Sequence, residues 1–151
     1  MKIALVYDRV NKLGGAERIL LALHEIWPDA PLYTAVYDSR GAPWAKKFDV
    51  RPSFLQHIPL APTQHEFFPW ATPFAFESFS FDEFDVVISI TSAEAKGIIT
   101  KPETLHICYC LTPTRYLWSG YEDYQNHPGM GLWNGISSFI LQKTAPLLQQ
   151  W

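Results

Sequence analysis

Three stretches of this sequence are apolar almost without interruption: Ile3 to Tyr7 (IALVY), Asp85 to Thr91 (DVVISIT) and Leu105 to Cys110 (LHICYC). A strand with one face in water alternates polar and apolar residues; a strand covered on both faces does not. The runs are too short to span a membrane. They therefore predict strands of a parallel sheet, whose crossover helices cover both of its faces.

The intervening segments supply the crossovers. From Gly15 to Trp27 the apolar residues Ile19, Leu20, Leu23 and Ile26 recur at helical spacing, and Pro28 ends the run. Ala30 to Tyr37 (APLYTAVY) reads as a second strand and Phe48 to Ser53 as a short third one, with a turn-forming loop from Asp38 to Pro43 between them. A proline-punctuated, aromatic stretch follows, FFPWATPFAFESFSF, in which a helix can start with proline in its first turn. Ser92 to Gly97 is a short turn, Gly129 to Asn134 a break, and Ile136 to Trp151 a closing helix that Pro146 can kink. Strands alternating with helices predict an α/β fold, a doubly wound parallel sheet forming a single domain over residues 1–151. Such sheets bind ligands at the carboxyl ends of the strands, beside the point where strand order reverses. That selects three loops: Asp8 to Gly15, Thr91 to Gly97, and Leu111 to Trp118.

Composition narrows the function classes. With 48% hydrophobic and 18% charged residues in 151, the chain is neither disordered nor short of core. Twelve Lys plus Arg against fifteen Asp plus Glu give a net charge of −3, which argues against a nucleic-acid partner. Cys108 and Cys110 are the only cysteines; two apart on one strand, they match no zinc pattern and read as reduced, buried thiols of a cytosolic protein. No His, Cys, Asp or Glu cluster has metal-ligand spacing, so no metal is expected. No signal peptide or membrane span is visible.

The first loop carries Gly14-Gly15 immediately before the helix. Glycine lets a ligand approach the backbone, and a helix start offers free N–H groups and the positive dipole end, so together they suit a phosphate. A tight strand-to-helix turn would also explain the pair. The stretch is neither GxGxxG nor GxxxxGK[ST], which counts against a nicotinamide dehydrogenase and a Walker-type ATPase.

At MKIALVYDRVNKLGGAERIL, with DVVISITSAEAKGI and LHICYCLTPTRYLW further on, the chain resembles the amino-terminal domain of group 1 (family 4) glycosyltransferases. The resemblance runs through nearly all of the chain and implies one Rossmann-like half of a GT-B fold. It implies a retaining transferase that passes a sugar from a nucleotide-sugar donor to a glycan or lipid-linked acceptor, with no cofactor beyond the donor. In that family the amino-terminal domain mainly holds the acceptor, and a carboxy-terminal domain with a spaced pair of glutamates holds the donor. The sequence stops about where the linker to that domain would begin, so the donor-binding domain or subunit is an expected partner, and the isolated domain is expected to be inactive.

Carried over residue by residue, the resemblance makes Gly14 and Gly15 the pair facing the donor phosphate, with Glu17 in the first helical turn as a ligand contact or as a cap of its own helix. One departure stands out. Where many relatives have His-Thr-Pro after the corresponding strand, this chain has Leu111-Thr112-Pro113, and leucine can neither accept a proton nor donate a hydrogen bond. His106 lies at the start of that strand, about 16 Å from its far end, and reads as an ordinary half-buried histidine.

Other cleft candidates are each balanced by a plainer reading. Arg115 can pair with a phosphate or with a carboxylate such as Glu122 or Asp123. Tyr116 and Trp118 can stack on a sugar ring or pack under their loop. Ser92, Lys96 and Thr112 follow strand ends; Lys96 can attract an anionic acceptor or remain solvated. Asp8, with Arg9, follows the first strand and can equally do turn chemistry. Lys46, Lys47 and Arg51 beside the aromatic segment raise weak peripheral contact with the inner membrane face, at about 1 kcal/mol per charge; packing into the core explains the aromatics as well.

Two rivals remain. A non-catalytic Rossmann-like binding module or partner subunit fits the same features. A flavodoxin-like or response-regulator-like domain fits less well, because Asp8 lacks the further strand-end Asp and Lys of a phospho-acceptor pocket.

Overall fold

The most hydrophobic strand lies at the middle of the sheet. In the computed structural model, which describes residues 1–59, 61–62, 68, 70–112, 120, 122–123, 138–140 and 142–146, β1 (Ile3–Tyr7) is buried along its whole length. It is followed by α1 (Gly15–Ile26), β2 (Leu32–Thr34), β3 (Val50–Pro52), α2 (Thr72–Glu77), β4 (Val86–Thr91) and β5 (Leu105–Cys110). The five strands form one sheet in the order β3-β2-β1-β4-β5, parallel throughout. Leu5 stands between Leu32 and Ile88, and Ile88 in turn beside Ile107, so aliphatic side chains run in register across the sheet.

Two cores lie against the two faces. Ile3, Leu5, Leu32, Ile88 and Ile90 meet Leu20 of α1, with Ile19 and Leu23 packed partly against them. Ala4, Val6, Tyr33 and Val87 meet Ala75 and Phe76 of α2. The alternation of β1 side chains between these faces explains why its sequence is apolar at every position. The chain is therefore a Rossmann-like α/β domain with helices on both sides, as the apolar runs imply.

Several boundaries differ from the sequence expectations. β2 is shorter than Ala30 to Tyr37, because after Thr34 the chain leaves the ladder and runs beside the loop after β1: Ala35 donates its N–H to Asp8 O, and Val10 N–H reaches Val36 O. β3 spans Val50–Pro52 at the sheet edge, where proline costs no ladder bond. Ile26 is 63% exposed, beyond the end of the buried stripe of α1. Pro73 lies in the first turn of α2, as anticipated. The expected closing helix is only partly described: residues 138–140 and 142–146 are helical. The break from Gly129 to Asn134 lies outside the described residues.

β5 requires a correction. LHICYC reads as a doubly covered strand, and Cys108 and Cys110 as buried thiols. Both cysteines are free and exposed, and so are Leu105, Ile107 and Tyr109. Among the described residues β5 is the outermost strand of the five, paired with β4 alone.

Candidate functional site

Strand order reverses between β1 and β4. β1 leads outward to β2 and β3, and the chain then returns to place β4 on the other side of β1. Their carboxyl ends frame the crevice where such folds bind ligands. What fills it follows from two loops.

Asp8 is the first residue after β1. Its carboxylate is buried and accepts four hydrogen bonds: from the Thr91 hydroxyl at 2.7 Å, and from the backbone N–H groups of Ser92 at 2.8 Å, Ala93 at 3.0 Å and Ala95 at 2.9 Å. One side chain thus satisfies the end of β4 and the 3-10 turn after it, groups that have no ladder partner. Next to it, Arg9 donates from Nη2 to Glu94 Oε2 at 2.9 Å; the Glu94 side chain is 4% exposed and that of Arg9 21%. Burial drives the Glu94 carboxyl above its ordinary range, opposed by Arg9 and reinforced by Asp8. Its other oxygen, Oε1, is buried with no hydrogen-bond partner.

The loop from Asp8 towards the glycines is fastened on its other side too. Asp38 N–H reaches Val10 O, and the Trp44 indole donates to Lys12 O at 2.8 Å. Gly41 is required here, because a Cβ on it would collide with the backbone oxygen of Asn11. Leu13, Gly14 and Gly15 are exposed.

α1 begins directly after Gly14, which has extended backbone angles and no side-chain cap. Glu17, in the first turn, is 2% exposed, and its Oε1 accepts a 2.6 Å hydrogen bond from the Tyr7 hydroxyl at the end of β1. Burial, and then the bond and charge of Glu17, push the Tyr7 hydroxyl far above its ordinary 10.0. The carboxylate also explains one glycine: a Cβ on Gly14 would stand 3.0 Å from Glu17 Oε2. A Cβ on Gly15 would meet nothing within 4 Å. Glycine at the start of a helix costs conformational entropy, and no internal contact requires it at position 15.

Of the sequence-derived candidates, Asp8, Ser92 and Lys96 gather around the end of β4, and Gly14, Gly15 and Glu17 at the start of α1. The Asp8 carboxylate is committed to internal bonds. Ser92 is half-buried, and Lys96 is exposed in the turn Ala95–Gly97. Thr112 is exposed two residues beyond β5, while Leu111 is half-buried against the α1-side core. Arg115, Tyr116 and Trp118 lie outside the described residues. His106 is half-buried at the start of β5, 2.9 Å from the Ser89 hydroxyl, and burial lowers its basicity.

Tyr7, Thr91 and Glu94 are central to the crevice and are not among the sequence-derived site residues, although Thr91 and Glu94 lie in the selected loop Thr91 to Gly97. A polar last position in IALVY and VVISIT is the signal for Tyr7 and Thr91; no local pattern marks Glu94.

The basic and aromatic surface is described only in part, because residues 63–67 and 69 lie outside the described residues. Trp70 and Phe74 are exposed beside the Ala71–Ala75 side of the sheet, whereas Lys46 and Lys47 belong to a turn whose Ala45 packs on the opposite, α1-side core. A pocket of about 460 Å³ lies at the amino end of the strands, among Lys2, Trp27, Arg51 and Glu83, away from the crevice. Among the described residues, no three His, Cys, Asp or Glu side chains group to hold a metal, and no helix is long and apolar enough to cross a membrane.

No family model, curated protein or solved structure matches this chain.

Proposed function

We propose that residues 1–151 form the acceptor-side domain of a retaining glycosyltransferase, which passes a sugar from a nucleotide-sugar to a glycan or lipid-linked acceptor. The observation that carries this reading is Gly15. It is exposed, stands at the amino end of a 12-residue helix beside the strand-order reversal, and has empty space where a side chain would be. A phosphate seated there would meet main-chain N–H groups and the positive end of α1. In the complete enzyme these groups would stabilise charge on the departing diphosphate. A donor-binding domain or subunit would form the other wall of the cleft, and residues 1–151 alone would not sustain transfer. A cytoplasmic location is part of this proposal.

Inorganic pyrophosphate titrated into ¹⁵N-labelled protein tests the reading. The Gly15 amide resonance is expected to shift saturably, and Gly15→Ala to weaken the effect. No shift at Gly15 at millimolar pyrophosphate would overturn it.

A second reading, a non-catalytic Rossmann-like binding module or partner subunit, is favoured by the buried Glu17 carboxylate beside Gly14. That contact gives one of the two glycines a purely internal reason and puts negative charge near the anion site. Sugar-nucleotide turnover in the presence of a donor-binding domain would separate the two.

A further inference from the structure

β5 presents two thiols side by side. Cys108 stands in register with Ser89 and Cys110 with Thr91, so both side chains share the face of the sheet that carries Val87. Both are free and exposed. The Cys110 thiol points to the Thr112 carbonyl oxygen at 3.6 Å, and a thiol is a weak donor that gives up such a contact easily. His106 is the next group along the same face, but its Nε2 is engaged by the Ser89 hydroxyl at 2.9 Å. Four residues of strand, about 13 Å, separate it from Cys110. Among the described residues no third ligand joins the two sulfurs.

Two sulfurs without further ligands do not suit zinc, which takes four. They suit a soft ion that is content with two, and thiolate is the ligand that selects Cu(I). We propose that Cys108 and Cys110 form a two-thiolate site for a soft monovalent cation, Cu(I). A linear arrangement with metal–sulfur bonds of about 2.3 Å needs the sulfurs about 4.6 Å apart. Alternate residues of a strand are about 6.6 Å apart, so each side chain leans inwards by about 1 Å. Two S–H bonds are replaced by two S–Cu bonds, both protons pass to solvent, and neither sulfur nor copper changes oxidation state. The site lies on the outermost described strand and is independent of the glycosyltransferase reading.

Anaerobic titration of the full chain with Cu(I), in competition with the coloured chelator bicinchoninate, tests the site. The wild type is expected to take up one equivalent. Cys108→Ser and Cys110→Ser change exposed positions, so their urea midpoints are expected to stay in place. Each is expected to bind Cu(I) at least about a hundredfold more weakly, because the second sulfur no longer acts within the same molecule. A thiol count on the wild type gives a reading that needs no variant: one equivalent of Cu(I) is expected to shield both thiols from a thiol reagent. No uptake, two equivalents per chain, one thiol still reactive at one equivalent, or a single-serine variant that binds as tightly as the wild type would overturn the proposal.

Discussion

The Tyr7 hydroxyl donates to Glu17 at 2.6 Å, joining the last residue of β1 to the first turn of α1 across the glycine loop. Both residues are buried, so the bond is not traded against water. Tyr7→Phe leaves the Glu17 carboxylate without this donor and is expected to cost about 1.5–3 kcal/mol, the range for hydrogen bonds to charged groups. Urea denaturation checks the value, and an unchanged midpoint would show that the bond contributes nothing.

The same pair has an alkaline signature. The Tyr7 hydroxyl ionises far less readily in the folded state than its ordinary 10.0, chiefly because of burial and then Glu17. Above the unfolded value the native state holds a proton that the unfolded chain has lost. Stability from this group is complete below about pH 10 and falls as pH rises beyond it. Equilibrium unfolding followed from about pH 9 to about pH 11 should lose stability in the wild type and lose less in Tyr7→Phe.

The two glycines separate a turn requirement from a ligand requirement. Gly14→Ala places a methyl against Glu17 Oε2, so it should disturb the Tyr7–Glu17 bond and lower stability. Gly15→Ala meets open space and adds a better helix former, so it should raise stability by up to about 1 kcal/mol. If Gly15→Ala also weakens pyrophosphate binding, position 15 trades stability for ligand access. If binding is unchanged, the trade is absent. Thermal melts and the amide titration give both halves.

How much of this was legible in the sequence varies from residue to residue. IALVY and VVISIT announced a buried parallel sheet because each position faces one of two cores. LHICYC carries the same pattern and misled, since strand order, which decides which strand is outermost, leaves no trace in a strand's own residues. Gly14-Gly15 directs attention to the carboxyl end of the sheet. The contacts that shape that end join residues about 80 positions apart, such as Thr91 to Asp8 and Arg9 to Glu94, and local pattern cannot pair them. Asp8 and Lys46 show the same limit. The first was a ligand candidate and is committed to four internal bonds. The second sits in a turn beside Trp44 and Phe48, which pack on the α1-side core, whereas Ala71 and Phe76 of the later aromatic segment pack on the other face of the sheet.

The exposed edge strand yields a chemical test. Cys108 and Cys110 are exposed and unpaired on β5. Both should react with a thiol reagent in the native protein, without denaturant. If both thiols react only after unfolding, the exposure of β5 is wrong.

Asp8 carries the last prediction, and it bears on what the crevice can bind. Its carboxylate faces four donors: one hydroxyl and three backbone N–H groups. Asparagine offers one acceptor oxygen, and its amide N–H₂ would point at donors, leaving buried N–H groups without partners. Asp8→Asn is therefore expected to cost about 3 kcal/mol or more, although the two side chains are nearly isosteric. A group that contacted ligand instead would lose binding with little loss of fold. Denaturation and pyrophosphate titration of this variant, run side by side, distinguish the two roles. A lower urea midpoint assigns Asp8 to the frame of the crevice. An unchanged midpoint with lost binding would move it to the ligand.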